Sequence, residues 1–257
     1  KVVVRYGIGY DAVDLQAAGK KDIVVCNIPS YCEQDVATHT LALILDLGRK
    51  ITMFDRSVRR KEWNSNYGYP VHRMDRLTLG LIGFGGIARY TAQYAAPLGF
   101  KIITYDPFVT EDVCKAAGVT KVSFDELLGG SDIISVHVPL NADTKHLINK
   151  NTIAKMKQTA MVINTSRGPI IAQDDLFEAL KNKRILAAGL DVLEIEPLAH
   201  PYAMELDNLV ITPHIGYNSI EATIDLHTKV AETACNVLKG EMPPNIVNKQ
   251  YLKRLNK

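Results

Sequence analysis

The sequence predicts an α/β protein built around a doubly wound parallel β-sheet. From residue 77 onward, six short runs are apolar nearly throughout, and several are rich in β-branched residues. Such runs are typical of strands buried on both faces of a sheet. Helical patterns separate the runs, and regular alternation of strand with helix favours parallel strands joined by helical crossovers. We therefore expect one sheet with helices packed on both of its faces.

The predicted elements follow one another in a regular order. Six strands are the full complement of a Rossmann domain, a fold that binds dinucleotides at the carboxyl edge of its sheet. The predicted strands span 77–83, 101–106, 132–139, 160–166, 185–192 and 208–214. Helices are predicted between them over 86–99, 123–130, 144–156 and 173–183.

Two long helical patterns and one polar segment flank this block. The stretches 33–54 and 219–240 are amphipathic at helical spacing. Residues 59–76 are polar and charged and contain Trp63, the only tryptophan. The simplest interpretation of 59–76 is an exposed loop, and a subunit-contact arm is the alternative.

The composition argues against several classes of partner. The 257 residues are 47% hydrophobic and 23% charged, as in ordinary globular proteins. A net charge of +2 gives no electrostatic reason to expect nucleic acid or an anionic membrane. No apolar run has the length of a membrane span. The four cysteines lack C-x-x-C or zinc-ligand spacing, so we expect no metal site, reduced thiols and a cytoplasmic protein.

A glycine-rich turn follows the first strand of the block. Residues 83–88 read GFGGIA and fit the G-x-G-x-x-G/A pattern of dinucleotide-binding loops. Gly83 permits a tight turn, Gly85 lets a pyrophosphate approach the backbone, and Ala88 allows close packing of helix on strand. Asp106 ends the next strand, where a carboxylate can bind ribose hydroxyls and repel the extra phosphate of NADP. The pattern therefore favours NAD, with a plain turn in a parallel sheet as the alternative.

The carboxyl ends of the other strands also deliver polar residues to this edge. These residues are His137, Pro139, Thr165, Ser166, Arg167, Gly168, Asp191 and His214. Each has a purely structural interpretation when taken alone. His137 fits a hydrogen-bonded, partly buried histidine, and His214 a loop hydrogen bond. Arg167 could cap a helix or pair with Asp174, and Glu194 and Glu196 could be solvated loop charges.

Taken together, an arginine, a carboxylate and a histidine beside a nicotinamide suit the reduction of a 2-oxo acid by NADH. Arginine binds a carboxylate through two parallel hydrogen bonds. Histidine can give or take a proton near neutral pH. A carboxylate behind the imidazole would orient the ring and favour its charged form.

Other enzyme classes lack their motifs. The chain has no G-x-S-x-G nucleophile elbow, no H-E-x-x-H zinc motif, and no Walker A lysine after the glycines. A protein that binds NAD to sense redox state and regulate a partner stays open as an alternative to an enzyme.

Several motifs occur together in a characteristic order. They are GLIGFGGIA, YDP, HVPLNADTKHLIN, VINTSRG, GLDVLEIEP and TPHIG. As a set, and over essentially the whole chain, they resemble the D-isomer-specific 2-hydroxyacid dehydrogenases. That family includes phosphoglycerate dehydrogenases and C-terminal-binding transcriptional corepressors. The resemblance implies an NAD-dependent dehydrogenase (EC 1.1.1.-) for a small D-2-hydroxy or 2-oxo acid. A corepressor-type redox sensor is the alternative, and a formate- or phosphite-oxidising relative is a third.

The resemblance also implies roles for individual residues. Arg167 would hold the substrate, His214 would be the acid/base, and Glu196 would pair with that histidine. Asp191 would bind the nicotinamide carboxamide, and Asp106 the adenosine ribose. The other implied cofactor contacts are Thr40, Gly83, Gly85, Gly86, Ile87, Pro139, Thr144, Thr165, Arg167, His214 and Gly216. The implied substrate contacts besides Arg167 are the backbone N–H groups of Gly7, Ile8 and Gly9.

The resemblance divides the chain into two domains. Residues 31–216 would form the NAD-binding Rossmann domain, and residues 1–30 and 217–257 part of a flavodoxin-like substrate domain. Family members carry further strand–helix units before the equivalent of KVVVRYG, so we expect a truncated or excised sequence. GGIA replaces the commoner G-R-I-G, a departure that bears on cofactor affinity but leaves the three proposed catalytic residues intact. The 33–54 helix and the 59–76 segment suggest a homodimer.

Overall fold

The computed structural model describes residues 1–252 and divides into two compact units. Residues 36–216 form the larger unit, and residues 1–35 with 217–252 form the smaller one. The strands are β1 Val2–Val4, β2 Val24–Cys26, β3 Thr78–Ile82, β4 Lys101–Tyr105, β5 Thr120–Lys121, β6 Ile133–Val136, β7 Met161–Asn164, β8 Ala187–Leu190 and β9 Leu209–Ile211. The helices are α1 Leu15–Lys20, α2 Glu33–Arg49, α3 Ile51–Arg59, α4 Gly86–Ala95, α5 Glu111–Ala116, α6 Phe124–Gly130, α7 Lys150–Ile153, α8 Gln173–Lys181 and α9 Ile220–Lys239.

The larger unit contains a seven-stranded parallel sheet with the order β5-β4-β3-β6-β7-β8-β9. The chain starts at β3, runs outward through β4 to β5, and then returns to β6 on the other side of β3. Strand order therefore reverses between β3 and β6. Open α/β sheets bind their ligands at such a switch point, beyond the carboxyl ends of the strands. The predicted fold class, a doubly wound parallel sheet of Rossmann type, is confirmed.

Alternating strand residues pack into two separate cores. In β7, Val162 belongs to one hydrophobic cluster, whereas Met161 and Ile163 belong to the other. Because successive side chains of a strand point to opposite faces, the two clusters cover the two faces of the sheet. Residues of α2, α4 and α5 fill one cluster, and residues of α6, α7 and α8 fill the other.

The prediction of one long helix over 33–54 is wrong in one respect, because the structure divides this stretch at Lys50 into α2 and α3. Lys50 has a left-handed backbone (φ 59°) and donates its amine to the carbonyl of Tyr67 at 2.6 Å. Asp46 accepts the N–H and hydroxyl of Thr52, both at 2.7 Å, which starts α3 as a new helix. Beyond α3, Trp63 is 91% exposed, in keeping with a loop.

The prediction of a helix over 144–156 is wrong over most of its length, because only the four residues of α7 are helical. The Asn141 side chain accepts the N–H groups of Asp143 and Thr144, which folds that stretch as a turn. Asn149 then accepts the N–H groups of Asn151 and Thr152 and starts the helix late. Local side-chain bonds of this kind compete with a continuing helix. The short β5 and α5 were not predicted.

The smaller unit pairs β1 with β2 in parallel and packs α9 against them. Its core includes Val24, Cys26, Val237 and Ile246. The buried amide of Asn248 accepts the Val25 N–H and donates to the Ile23 carbonyl, both at 2.9 Å, and so ties the C-terminal segment to β2. Helix α9 lies within the predicted 219–240, between a Ser219 cap and Gly240 (φ 95°). Within residues 1–252, no helix is both long and apolar enough to cross a membrane.

Candidate active site

The glycine-rich loop leaves β3 at the switch point of the sheet. Gly83 has φ 92°, and a Cβ there would lie 2.9 Å from the carbonyl oxygen of His137, so only glycine fits. A Cβ at Gly85 would meet nothing within 4 Å. Helix α4 begins at Gly86 without a side-chain cap, and Gly86 is exposed while Ile87 is half-buried. Open space above uncapped N–H groups fits a pyrophosphate.

Asp106 lies against this loop, as expected of a residue that binds ribose. Its Oδ2 accepts the N–H of Phe84 and its Oδ1 the N–H of Phe108, each at 2.8 Å. The first bond fixes the carboxylate beside the glycine turn, and the second holds the chain that leaves β4. The residues present therefore suit the dinucleotide that the sequence predicts.

Two further pairs of predicted cofactor residues are in direct contact. The Thr144 hydroxyl donates to the Pro139 carbonyl at 2.6 Å, which closes the loop after β6. The Thr40 and Thr165 hydroxyls lie 2.8 Å apart, and both residues are buried. Contact between Thr40 on α2 and Thr165 after β7 shows that residues far apart in the sequence converge near the carboxyl edge.

Arg167 stands on a loop that Asn164 organises. The Asn164 amide donates to the Arg167 carbonyl at 2.9 Å, and its oxygen accepts the Ser166 N–H at 3.0 Å. The Ser166 hydroxyl donates to the Val138 carbonyl at 2.5 Å, which joins this loop to the end of β6. Asn164 is buried, so the loop is built on a rigid strand end.

Gly168 connects the arginine loop with the loop that carries Glu196. A Cβ at Gly168 would lie 1.8 Å from the Leu193 carbonyl oxygen, so the two backbones touch and no side chain fits between them. The Leu193 N–H in turn donates to Glu196 Oε1 at 2.9 Å. The positions of Arg167 and Glu196 are therefore linked through backbone contact.

Glu196 and His214 form a hydrogen-bonded pair. His214 Nδ1 lies 3.0 Å from Glu196 Oε2, and both side chains are partly exposed. Because one ring nitrogen faces the carboxylate, the other is left to face a reacting oxygen. This is the arrangement of an oriented acid/base.

Asp191 holds together the turn that carries His214. Its carboxylate accepts the Thr212 hydroxyl at 2.6 Å and the N–H groups of Ile215 and Gly216 at 2.9 and 2.8 Å. Burial alone would raise the pKa of Asp191. The hydrogen bonds from His39, Thr212 and the two N–H groups outweigh burial and lower that pKa to about 2. Asp191 is therefore an anion at neutral pH, and its carboxylate holds the backbone after His214 and the side chain of Thr212 before it.

The structure also resolves the residues for which alternatives were open. His137 lies 2.9 Å from the Ser135 hydroxyl, and burial lowers its pKa to about 4, so it is a neutral structural histidine. Glu194 is not a solvated charge, because its carboxylate meets His146 at 2.5 Å and accepts the Gln173 N–H at 3.1 Å.

The predicted substrate contacts lie in the smaller unit. Gly7 is buried with φ 135°, and its carbonyl accepts the Ile28 N–H at 3.0 Å. The Ile8 carbonyl accepts the Asn27 amide at 2.7 Å, and Gly9 is half-buried. These bonds shape a turn, and its role toward substrate stays a prediction.

Sequence reasoning missed the residues that position the site rather than form it. His39 and Thr212 contact Asp191, and Asn164 shapes the arginine loop. The contact of His146 with Glu194 was also missed, and it is separate from the Glu196–His214 bond. Thr212 and Asn164 belonged to quoted motifs, so their place at strand ends was a usable signal. His39 in α2 gave no such signal, because its partners are remote in sequence.

Comparison with known proteins decides the family. The family model described as "D-isomer specific 2-hydroxyacid dehydrogenase, NAD binding domain" matches residues 41–216. The chain belongs to the D-isomer specific 2-hydroxyacid dehydrogenases. NAD as the cofactor and NAD-linked interconversion of 2-hydroxy and 2-oxo acids as the class of activity, both predicted from the sequence, are confirmed at the level of the family.

Individual relatives agree with this assignment. A glyoxylate reductase of Korarchaeum cryptofilum is 36% identical over 98% of this chain and 77% of its own length. A D-3-phosphoglycerate dehydrogenase of Methanocaldococcus jannaschii is 39% identical over 96% of this chain, which spans only 47% of that relative. The crystal structure of a D-lactate dehydrogenase from Aquifex aeolicus with NAD and lactic acid superposes with a TM-score of 0.88 at 33% identity, covering 96% of this chain and 80% of that one. These relatives are named as enzymes, so a redox sensor is not favoured.

Proposed function

We propose that this chain reduces a small 2-oxo acid to the D-2-hydroxy acid, and catalyses the reverse reaction, with His214 as the acid/base. The observation that carries the proposal is the 3.0 Å bond between His214 Nδ1 and Glu196 Oε2. A carboxylate there orients the imidazole, so that its second nitrogen can face the reacting oxygen. Arg167, whose Nη1 donates to the Ser166 carbonyl at 2.7 Å, supplies the guanidinium for the α-carboxylate of the substrate.

Each residue has a distinct task in this proposal. The guanidinium of Arg167 binds the substrate carboxylate and draws the carbonyl toward His214. Nε2 of His214 donates a proton to the carbonyl oxygen as that oxygen becomes a hydroxyl, and takes it back in the oxidation direction. Glu196 balances the positive charge of the ring. NADH, when bound, supplies the hydride.

The cofactor is held by the edge of the sheet. The N–H groups at the start of α4, near Gly85, Gly86 and Ile87, would bind the pyrophosphate, and Asp106 the adenosine ribose. Pro139, Thr144 and Thr165 would line the cleft, with Thr40 supporting Thr165. Asp191 and Gly216 would lie at the nicotinamide end. On the substrate side, Gly7, Ile8 and Gly9 are proposed to donate backbone N–H groups to the carboxylate.

Relatives named for different acids are about equally similar to this chain. The glyoxylate reductase is 36% identical and the D-3-phosphoglycerate dehydrogenase is 39% identical. The proposal therefore covers the class of small 2-oxo acids, and the substrate within that class is left to experiment.

A panel of 2-oxo acids tests the proposed activity and identifies the preferred substrate. Purified protein is incubated with NADH and, separately, glyoxylate, pyruvate, hydroxypyruvate or 3-phosphohydroxypyruvate, and oxidation is followed at the NADH absorbance band. Turnover above about 1 per second with any acid supports the activity, and the best kcat/KM names the substrate. Tight NADH binding with only trace turnover on every acid overturns the proposal.

A homodimer and a cytoplasmic location are proposed on separate grounds. Helix α3 and the loop after it expose Ile51, Val58 and Trp63, an apolar set suited to subunit contact. Cys26, Cys32, Cys114 and Cys235 are free thiols, as expected in a reducing compartment. Sedimentation equilibrium of the wild-type protein and of a Trp63→Glu variant tests the homodimer. The wild type should sediment as a dimer and the variant as a monomer.

A further inference from the structure

We infer that His39 is a positioning residue of the active site, acting on His214 through Thr212 and Asp191. This inference rests on the proposed role of His214. It identifies a residue that does not touch the reacting atoms and that is not among the site residues implied by the family resemblance.

A directional chain of hydrogen bonds starts at His39. Its Nε2 lies 2.9 Å from Thr212 Oγ1, and Thr212 Oγ1 donates to Asp191 Oδ1 at 2.6 Å. Because the single hydroxyl proton of Thr212 goes to Asp191, its oxygen can only accept from His39. His39 must therefore carry its proton on Nε2, and the same nitrogen lies 3.4 Å from Asp191 Oδ1.

The far end of the chain fixes the backbone around His214. Asp191 accepts the N–H groups of Ile215 and Gly216, and its own carbonyl accepts the His214 N–H at 2.8 Å. His214 itself has a left-handed backbone with φ 55°. Such a conformation is costly for a residue other than glycine and persists only when its surroundings hold it. The Asp191 network supplies that restraint.

His39 also packs against the same turn. A Cβ at Gly216 would lie 3.3 Å from His39 Cδ2 and 3.0 Å from Asp191 Oδ2. The imidazole of His39 thus closes the turn on one side, while Asp191 bonds it on the other. Because His39 lies on the long helix α2, this contact ties the His214 turn to a rigid element of the larger unit.

Two substitutions separate hydrogen bonding from packing. His39→Phe keeps a ring of similar size and removes the donor, whereas His39→Gln keeps an N–H donor and removes the ring. If His39 positions the site by donating, His39→Phe should lower kcat about tenfold, the order of effect expected from losing one hydrogen bond. His39→Gln should recover most of that loss. The dissociation constant of NADH should change by a smaller factor than kcat in both variants.

Amide hydrogen exchange measures the stability of the hydrogen bonds in this network independently of turnover. The N–H groups of Ile215 and Gly216 should exchange at least tenfold faster in His39→Phe than in wild type, while those of β7 are unchanged. His39→Gln should retain slow exchange. Thr212→Val breaks the same chain at its middle and should reproduce His39→Phe, which keeps the test decisive if His39→Phe fails to fold.

The outcomes separate the two proposals. Unchanged kcat and exchange in both His39→Phe and Thr212→Val would overturn the positioning role, and so would equal losses in the phenylalanine and glutamine variants. A wild-type protein without turnover on any 2-oxo acid contradicts the proposed function instead, and exchange at Ile215 and Gly216 would still decide whether His39 holds the turn.

Discussion

His214 Nδ1 and Glu196 Oε2 meet at 3.0 Å, although the two residues are 18 positions apart and lie on different loops. The pair is assembled from both sides. Leu193 donates its N–H to the other carboxylate oxygen of Glu196, and Asp191 fixes the backbone of His214. Because each partner has its own support, removing one side chain should affect chemistry more than folding.

Replacing His214 by Gln is expected to lower kcat by ~10²–10⁴-fold, because the proton donor is lost while the shape is roughly kept. The NADH dissociation constant should stay within about threefold of wild type. Steady-state kinetics and fluorescence titration with NADH measure the two quantities. Wild-type turnover in this variant would show that another group moves the proton.

Glu196→Gln and Glu194→Gln form a matched pair that tests the partner of His214. Glu196→Gln removes the charge behind the ring and should lower kcat by about tenfold or more. Glu194 lies two residues away but pairs with His146, so Glu194→Gln should keep near-normal kcat. Equal losses in the two variants would mean that the loop as a whole is sensitive, not the Glu196–His214 pair.

Alanine substitutions at Gly83 and Gly85 of the nucleotide loop should have different effects, one on stability and the other on NADH binding. Gly83→Ala adds a Cβ at 2.9 Å from the His137 carbonyl in a residue with φ 92°, so unfolding free energy should fall by about 1–3 kcal/mol. Gly85→Ala meets open space and should unfold like wild type while binding NADH at least tenfold more weakly. Urea unfolding and NADH titration of both variants measure these effects. Normal NADH affinity in Gly85→Ala would place the pyrophosphate elsewhere.

The sequence was sufficient for six of the seven strands of the sheet and for the polar residues at their carboxyl ends, since both depend on local signals. Buried parallel strands are apolar nearly throughout, and the residues at their ends meet at one edge whatever the loop lengths. It was not sufficient for Lys50, where one side-chain bond to Tyr67 and one cap by Asp46 interrupt an amphipathic pattern that continues across the break. Nor could it assign His39 or Glu194, because their partners Thr212 and His146 are chosen by tertiary folding.

The stability of the larger unit should depend on pH through His137. Burial lowers the pKa of His137 from 6.5 to about 4, so the folded protein resists a proton that the unfolded chain accepts. The stabilising contribution of neutral His137 is therefore complete above pH 6.5 and is lost as the pH falls toward 4. The loss should amount to about 3 kcal/mol between pH 7 and pH 4.

A His137→Gln variant isolates this dependence. Urea unfolding of wild type and variant from pH 4 to pH 7.5 gives the difference in unfolding free energy at each pH. That difference should shift by about 3 kcal/mol in favour of wild type as the pH rises through this window. A difference that stays constant with pH would show that folding leaves the pKa of His137 unchanged.

Asp106 should set the preference for NAD over NADP. Its two oxygens accept the N–H groups of Phe84 and Phe108, so the carboxylate is fixed beside the glycine turn, where a phosphate on the ribose would meet its charge. Asp106→Asn keeps the size of the side chain and removes the charge. The ratio of the NADPH to the NADH dissociation constant should fall about tenfold or more, because the repulsion disappears while NADH loses a charged hydrogen-bond acceptor.

Asp112→Asn is the matched control, because Asp112 is an exposed carboxylate in the first turn of α5. This substitution should leave the ratio unchanged. If both variants keep the wild-type ratio, discrimination between the two cofactors does not come from Asp106, and the ribose is bound by another group.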